Sequence, residues 1–153
     1  MPLYTDIPGI SMQVSRDVVV ASIQVDLDDG VLVRFRDDLL RRIHETSSRG
    51  VILDVSGLET LDSEEFAALR RIITMSTIMG AESVLVGLRP GVVSALIEAG
   101  ADVDGLRAAS NLDAAFAMLE PEPEPESAVG TDTDGDPEDE LPPESEQTTG
   151  DEQ

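Results

Sequence analysis

The chain is expected to fold as an α/β domain, with a small, mixed but mostly parallel central sheet and about four helices, followed by a disordered acidic tail. Three observations lead there. Short β-branched runs alternate with longer stretches of helical period, the order of βαβ units. The inner runs are apolar without alternation, as strands covered on both faces are. Near residue 120 the composition changes abruptly to EPEPEPESAVGTDTDGDPEDELPPESEQTTGDEQ.

Each element has its own signal. Ile10, Met12 and Val14 alternate with polar residues, as in a half-exposed edge strand, and residues 15–17 supply a tight turn. VVVASIQV at 18–25 is a buried strand. Over 28–48 the period changes: Leu32, Phe35, Leu39 and Ile43 share one helical face, with Val31 and Leu40 beside them. Asp28 or Asp29 caps this helix and Gly50 is expected to end it. VILDV at 51–55 is a second buried strand, followed by a loop over 56–61. The helix over 62–79 has Phe66, Leu69, Ile72 and Ile73 as its inner stripe. Met75, Ile78 and Met79 are expected to extend that stripe in the core, with an adaptable methionine-bearing interface as the alternative. SVLVG at 83–87 is the third buried strand. Arg89-Pro90 opens a helix with proline where its missing amide is harmless. Val93, Leu96 and Ile97 are expected inward, and Gly100 terminates. A weak strand lies near 105–108, and Asn111 caps a last helix with Leu112, Ala115, Phe116 and Leu119.

The division into domains follows composition. Residues 1–120 carry 19 acids and ten arginines, a net charge of −9, and form the folded domain. Residues 121–153 carry 13 acids and no base. Beyond alanine size, that tail has only Val129 and Leu141 as aliphatic residues and no aromatic one. It buries too little apolar surface to offset chain entropy, so disorder is expected. The tail reads as a solubilising extension, or as a tether for a basic partner. The anionic field argues against nucleic acid and anionic membrane surfaces as partners. No apolar run approaches membrane-spanning length and no secretion signal is visible, so a cytoplasmic protein is expected.

Enzyme chemistry finds little support. There is no cysteine and no lysine: all ten bases are arginine. The phosphate-binding GxxxxGK motif is therefore absent, as is GxGxxG. His44 is the only histidine. Zinc would lack further nitrogen or sulfur ligands and a Ser–His–Asp triad would need a distant serine, so His44 reads as a surface helical residue. Asp54 sits in an apolar strand, as phosphoacceptor aspartates do, but the lysine of such sites is missing. It reads as a strand-end residue bonded to loop amides near Gly57. No metal and no cofactor are expected.

LDSEEF at 61–66 carries the candidate site. Asp62 followed three residues later by Glu65 has capping-box spacing, with aspartate in the usual Ser/Thr place. If Asp62 is the cap, Ser63 is the first helical residue and its hydroxyl points outward. If Ser63 is itself the cap, its oxygen is spent on the amides of the first turn. A helix start tolerates phosphate, because free amides and the dipole favour negative charge. Added to Asp62, Glu64 and Glu65, a phosphate of roughly −1.5 to −2 charges would make the tip strongly anionic without unfolding the helix. A docked partner would be expelled by repulsion and desolvation.

SIQVDLDD at 22–29, RRIHETSSRGVILDVS at 41–56, Leu61-Asp62-Ser63 and MSTIMGAESVLVGLRP at 75–90 together resemble the STAS family, the relatives of anti-anti-sigma factors. Within it the chain is similar to the RsbS-like scaffolds of the bacterial stressosome. The resemblance spans roughly residues 8–119 and excludes the tail. It implies a binding protein without turnover, phosphorylated on Ser63 by a GHKL-type serine kinase such as an RsbT-like kinase. It also implies assembly with RsbR-like STAS paralogues into a large complex that holds the kinase until phosphorylation releases it, within a general stress response. Asp62 matches the residue before the family's phosphoserine. Glu64 and Glu65 depart from the apolar residues usual after it, which bears on kinase recognition. A second phosphothreonine of the regulator paralogues falls on Ala95, so one main site is expected. The first strand begins about ten residues from Met1, so no sensory domain is expected ahead of it. The alternative is a free anti-anti-sigma factor that binds an anti-sigma kinase in a small complex. Arg70 and Arg71 read as a solvated face, or as partners for acids on a docked protein.

Overall fold

The computed structural model describes residues 7–123. The tail expected over 121–153 therefore falls, from residue 124 onward, outside the described residues. Within them the chain runs β1 (Ile10–Ser15), β2 (Val18–Ile23), α1 (Asp29–Thr46), β3 (Gly50–Asp54), α2 (Ser63–Ile78), β4 (Glu82–Val86), α3 (Pro90–Glu98), β5 (Ala108–Ala109) and α4 (Leu112–Leu119). The sheet order is sequential, β1-β2-β3-β4-β5, with β1 antiparallel to β2 and every other pair parallel. This is the mixed, mostly parallel sheet expected, with four helices.

The hairpin turn is tight because Ser15 pairs directly with Val18. Arg16 and Asp17 between them both take positive φ, 53° and 62°, the geometry that matches the twist of a two-residue hairpin. From β2 onward each strand is followed by a helix, and the 99–107 connection links α3 to β5. Because β2 and β3 lie side by side and parallel, α1 and α2 start at the same end of the sheet. That shared end holds the candidate site.

Two apolar layers sandwich the sheet. On one face Leu32, Phe35, Leu39 and Ile43 of α1, Phe66, Leu69 and Ile72 of α2, and Val92 and Leu96 of α3 pack on Val19, Ala21, Val51, Leu53 and Leu85. The other face is smaller: Val18, Ile52, Val84 and Val86 lie under Ala115 and Leu119 of α4. Burying a side chain such as Phe35 or Leu69 stabilises the fold by about 1.5–3 kcal/mol. Arg42 adds a polar tie, its Nη1 donating to the Met12 carbonyl of the edge strand at 2.6 Å.

Three expectations need correction. Met75, Ile78 and Met79 do not extend the core. The buried series on α2 is Phe66, Leu69, Ile72 and then Ser76, whose hydroxyl donates to the Ile72 carbonyl at 3.0 Å. With Ser76 inward, Ile78 is 81% exposed and Met79 is exposed too. On α3 the inner pair is Val92 and Leu96, while Val93 and Ile97 face solvent. Finally, Gly50 does not end α1. Ser47 does, in the left-handed region at φ 51°, its amide bonding to Ile43. Gly50 is instead the first residue of β3, and a Cβ there would sit 3.0 Å from Leu119 Cδ1. Its small size admits α4.

Candidate functional site

The start of α2 shows which residue is the cap. Asp62 has extended backbone, φ −81° and ψ 172°, and its Oδ1 accepts from the Glu65 amide at 2.8 Å. In return Glu65 Oε2 accepts from the Asp62 amide at 2.9 Å. This reciprocal pair satisfies two groups that a helix start leaves open. Ser63 is then the first helical residue, exposed, and its hydroxyl makes no hydrogen bond among the described residues. Of the two readings of Ser63 left open by spacing, the structure selects the outward-facing one.

The capping box also separates the two glutamates. Glu65 is half-buried and committed to the cap, whereas Glu64 is exposed and free of any such bond. One of the two acids that follow Ser63 therefore has a structural duty.

The loop that delivers Ser63 is clamped at its root. Asp54 Oδ1 accepts from the Ser56 amide at 3.0 Å and from the Ser56 hydroxyl at 2.7 Å. Arg89 donates to the Ser56 carbonyl from both Nε and Nη2, at 3.2 and 3.1 Å. Gly87, at φ 84°, passes so close that a Cβ would stand 2.6 Å from Ser56 Cβ. Asp54 is thus a loop-anchoring residue, as read from the sequence, although its amide partner is Ser56 rather than Gly57.

What spacing did not reveal is the neighbourhood. Asp28 and Asp29, read only as helix-cap candidates, come to lie with Asp62, Glu64 and Glu65 around one hollow between the starts of α1 and α2. Asp28 is the α1 cap, accepting from the Val31 amide at 2.8 Å. The signal that could have found this is topological: adjacent parallel strands place their following helices at the same edge. Arg71 is the one cation lining that hollow. It is exposed and makes no ion pair among the described residues. Its neighbour Arg70 is not part of a free face. It is paired with the Asp102 carboxylate at 2.9 Å and donates to the carbonyls of Asp102 and Asp104.

On its other side Ser63 stands at the end of a mostly apolar groove along α2, lined by Phe66, Ala67, Met75, Ile78 and Ala101. Half-buried Met75 and exposed Ile78, both outside the core, are walls of this groove. His44 lies on the exposed face of α1. Among the described residues no group of three His, Cys, Asp or Glu side chains is arranged to hold a metal ion, and no helix is long and apolar enough to cross a membrane.

Comparison with known proteins places this geometry. The family model of the STAS domain matches residues 9–115. Among solved structures, a variant of RsbS from Moorella thermoacetica is 29% identical, with a TM-score of 0.62 over 72% of this chain and 93% of that one. A chain of the stressosome, described as a signal integration and transduction hub, is 30% identical, with a TM-score of 0.63 over 71% of this chain and 95% of that one. The anti-sigma factor antagonist SpoIIAA of Bacillus, in its phosphorylated form, shares the fold at 15% identity and a TM-score of 0.53, over 72% of this chain and 99% of that one. No curated protein matches the chain. A family match over most of the folded residues, joined to a 30% identical relative matched along nearly its whole length, makes this chain a member of the STAS domain family, similar within it to RsbS.

Proposed function

We propose that the chain is an RsbS-like scaffold that sequesters a GHKL-type, RsbT-like serine kinase and releases it when Ser63 is phosphorylated. The observation that carries this reading is an uncommitted, exposed hydroxyl on the first residue of a helix already capped by Asp62 and Glu65. Because the cap does not use Ser63, a phosphate there leaves the fold's hydrogen bonds intact. Because Asp62 and Glu64 flank it, the added charge acts on the docked partner. The groove beside Ser63 supplies apolar contact area, and the carboxylate rim makes that contact sensitive to charge. Similarity to RsbS and to a stressosome chain supports assembly with STAS paralogues and a protein without turnover of its own.

The test is direct. Incubation with the RsbT-like kinase and ATP is expected to give one dominant phosphopeptide containing Ser63, lost in Ser63→Ala. Ser63→Asp is expected to weaken kinase retention in a pull-down by about tenfold or more, on the order of 1.4 kcal/mol. A phosphopeptide centred elsewhere overturns the switch. Sizing of the native complex separates the scaffold from a free anti-anti-sigma factor, which would run as a small complex.

A further inference from the structure

The loop from β3 to α2 is wedged between the ends of two neighbouring strands. On the β4 side the Val55 amide donates to the Val86 carbonyl at 2.9 Å, and Gly87 abuts Ser56. On the β2 side Gly57 passes so close that a Cβ there would stand 2.9 Å from the Ile23 carbonyl oxygen. The loop then closes a turn across Ser56, the Leu58 amide donating to the Val55 carbonyl at 3.0 Å. Leu58 and Leu61 are buried beneath it.

Arg89 reaches this loop from the start of α3. It occupies the N-cap position yet makes no capping bond, it is exposed, and it has no ion pair among the described residues. Its two donors converge on one acceptor, the Ser56 carbonyl, 33 residues earlier in the chain. Ser56 is itself exposed, so water would satisfy that carbonyl if Arg89 did not. What the guanidinium adds is restriction, through a charge-assisted bond stronger than a neutral one.

We propose that Arg89 is a positioning residue for the phosphorylation of Ser63: it fixes the 56–61 loop before the kinase arrives, so that docking does not have to order it. The proposal rests on the Ser63 reading. Without Arg89 the loop opens more often, and apparent affinity falls with the closed fraction. Once docked, the kinase holds the loop closed and phosphoryl transfer proceeds as before. The effect therefore falls on KM for the chain and spares kcat.

The experiment uses the full chain, the RsbT-like kinase and two variants. In Arg89→Ala the Leu58 amide is expected to exchange about tenfold faster in the free protein, while the Leu69 amide in the middle of α2 is unchanged. KM is expected to rise about tenfold at constant kcat. Arg89→Lys, which keeps the charge and one donor, is expected to shift both readouts by about threefold, and it carries the comparison if Arg89→Ala does not melt cooperatively. A raised KM with unchanged Leu58 exchange would make Arg89 a direct kinase contact and overturn the proposal. Faster exchange with unchanged KM, or a loss confined to kcat, overturns it as well. Phosphorylation of the unaltered chain at another residue overturns the Ser63 reading and this proposal with it; normal phosphorylation of Ser63 with unchanged KM in both variants overturns this proposal alone.

Discussion

A serine at a helix start either spends its hydroxyl on the backbone or leaves it to solvent, and at Ser63 the difference is measurable. Its hydroxyl has no partner among the described residues and it is exposed, so Ser63→Ala is expected to change stability by no more than about 0.5 kcal/mol. Asp62→Ala removes the carboxylate that accepts from the Glu65 amide, one of the two reciprocal cap bonds, and is expected to cost about 1 kcal/mol, within a range of roughly 0.5–2. Urea denaturation of the two variants checks the contrast. If Ser63→Ala is the more damaging, the serine is a structural cap and the switch loses its physical basis. This local arrangement was legible in the sequence because every partner lies within three residues: LDSEE contains the cap, its reciprocal acid and the hydroxyl left over. The acids of α1 that share the hollow lie more than thirty residues earlier, and only strand adjacency brings them there. Spacing could not show it.

Helical period identifies a face but not the length over which the sheet supports it. On α1 the stripe of Leu32, Phe35, Leu39 and Ile43 was legible because charged residues occupy most of the other positions. α3 offered no such contrast: Val92, Val93, Ala95, Leu96 and Ile97 are apolar on nearly every side, so period alone could not choose Val92 over Val93. On α2 the stripe drifts at Ser76, a small polar residue that is buried because its hydroxyl bonds back to Ile72. The energetic consequence is a sharp break along one helix. Leu69→Ala empties a fully buried position and is expected to cost about 2–5 kcal/mol. Ile78→Ser, two turns on, is expected to stay within about 0.5 kcal/mol, while weakening any partner that uses the groove beside Ser63. Equal losses at the two positions would mean that Ile78 is covered in the folded chain. The loops obey a similar rule of close approach. Gly87→Ala forces an alanine to φ 84° with its Cβ 2.6 Å from Ser56, and is expected to cost about 1–3 kcal/mol, which thermal melting would register.

The two faces of the sheet are unequally protected, and this decides where the chain can be cut. Three helices cover one face, and among the described residues the other rests on α4 alone, through Ala115, Leu119 and the flanking Phe116. α4 is fastened at both ends: Asn111 caps it by accepting from the Ala114 amide at 2.8 Å, and Arg107 Nη2 donates to the Met118 carbonyl at 2.9 Å. Arg16 of the hairpin turn lies over the Phe116 ring, 5.0 Å from its centre. Truncation after Ser110 would expose Val18, Ile52, Val84 and Val86 together. At about 1.5–3 kcal/mol for each such side chain, the loss rivals the roughly 5–15 kcal/mol by which domains of this size are stable. That truncation is expected to yield no cooperative unfolding transition. Truncation after Glu120 keeps every buried residue of both layers and removes 13 acids without a single base. It is expected to hold the urea midpoint and slope of the full chain, since slope follows the surface exposed on unfolding. The acidic composition beyond Glu120 was the clearest whole-chain signal in the sequence, whereas the dependence of one sheet face on a single eight-residue helix was invisible until the strands were placed. A fall in midpoint for the chain ending at Glu120 would move the domain boundary into the tail. Retained cooperativity in the chain ending at Ser110 would show that α4 is an accessory rather than a layer of the fold.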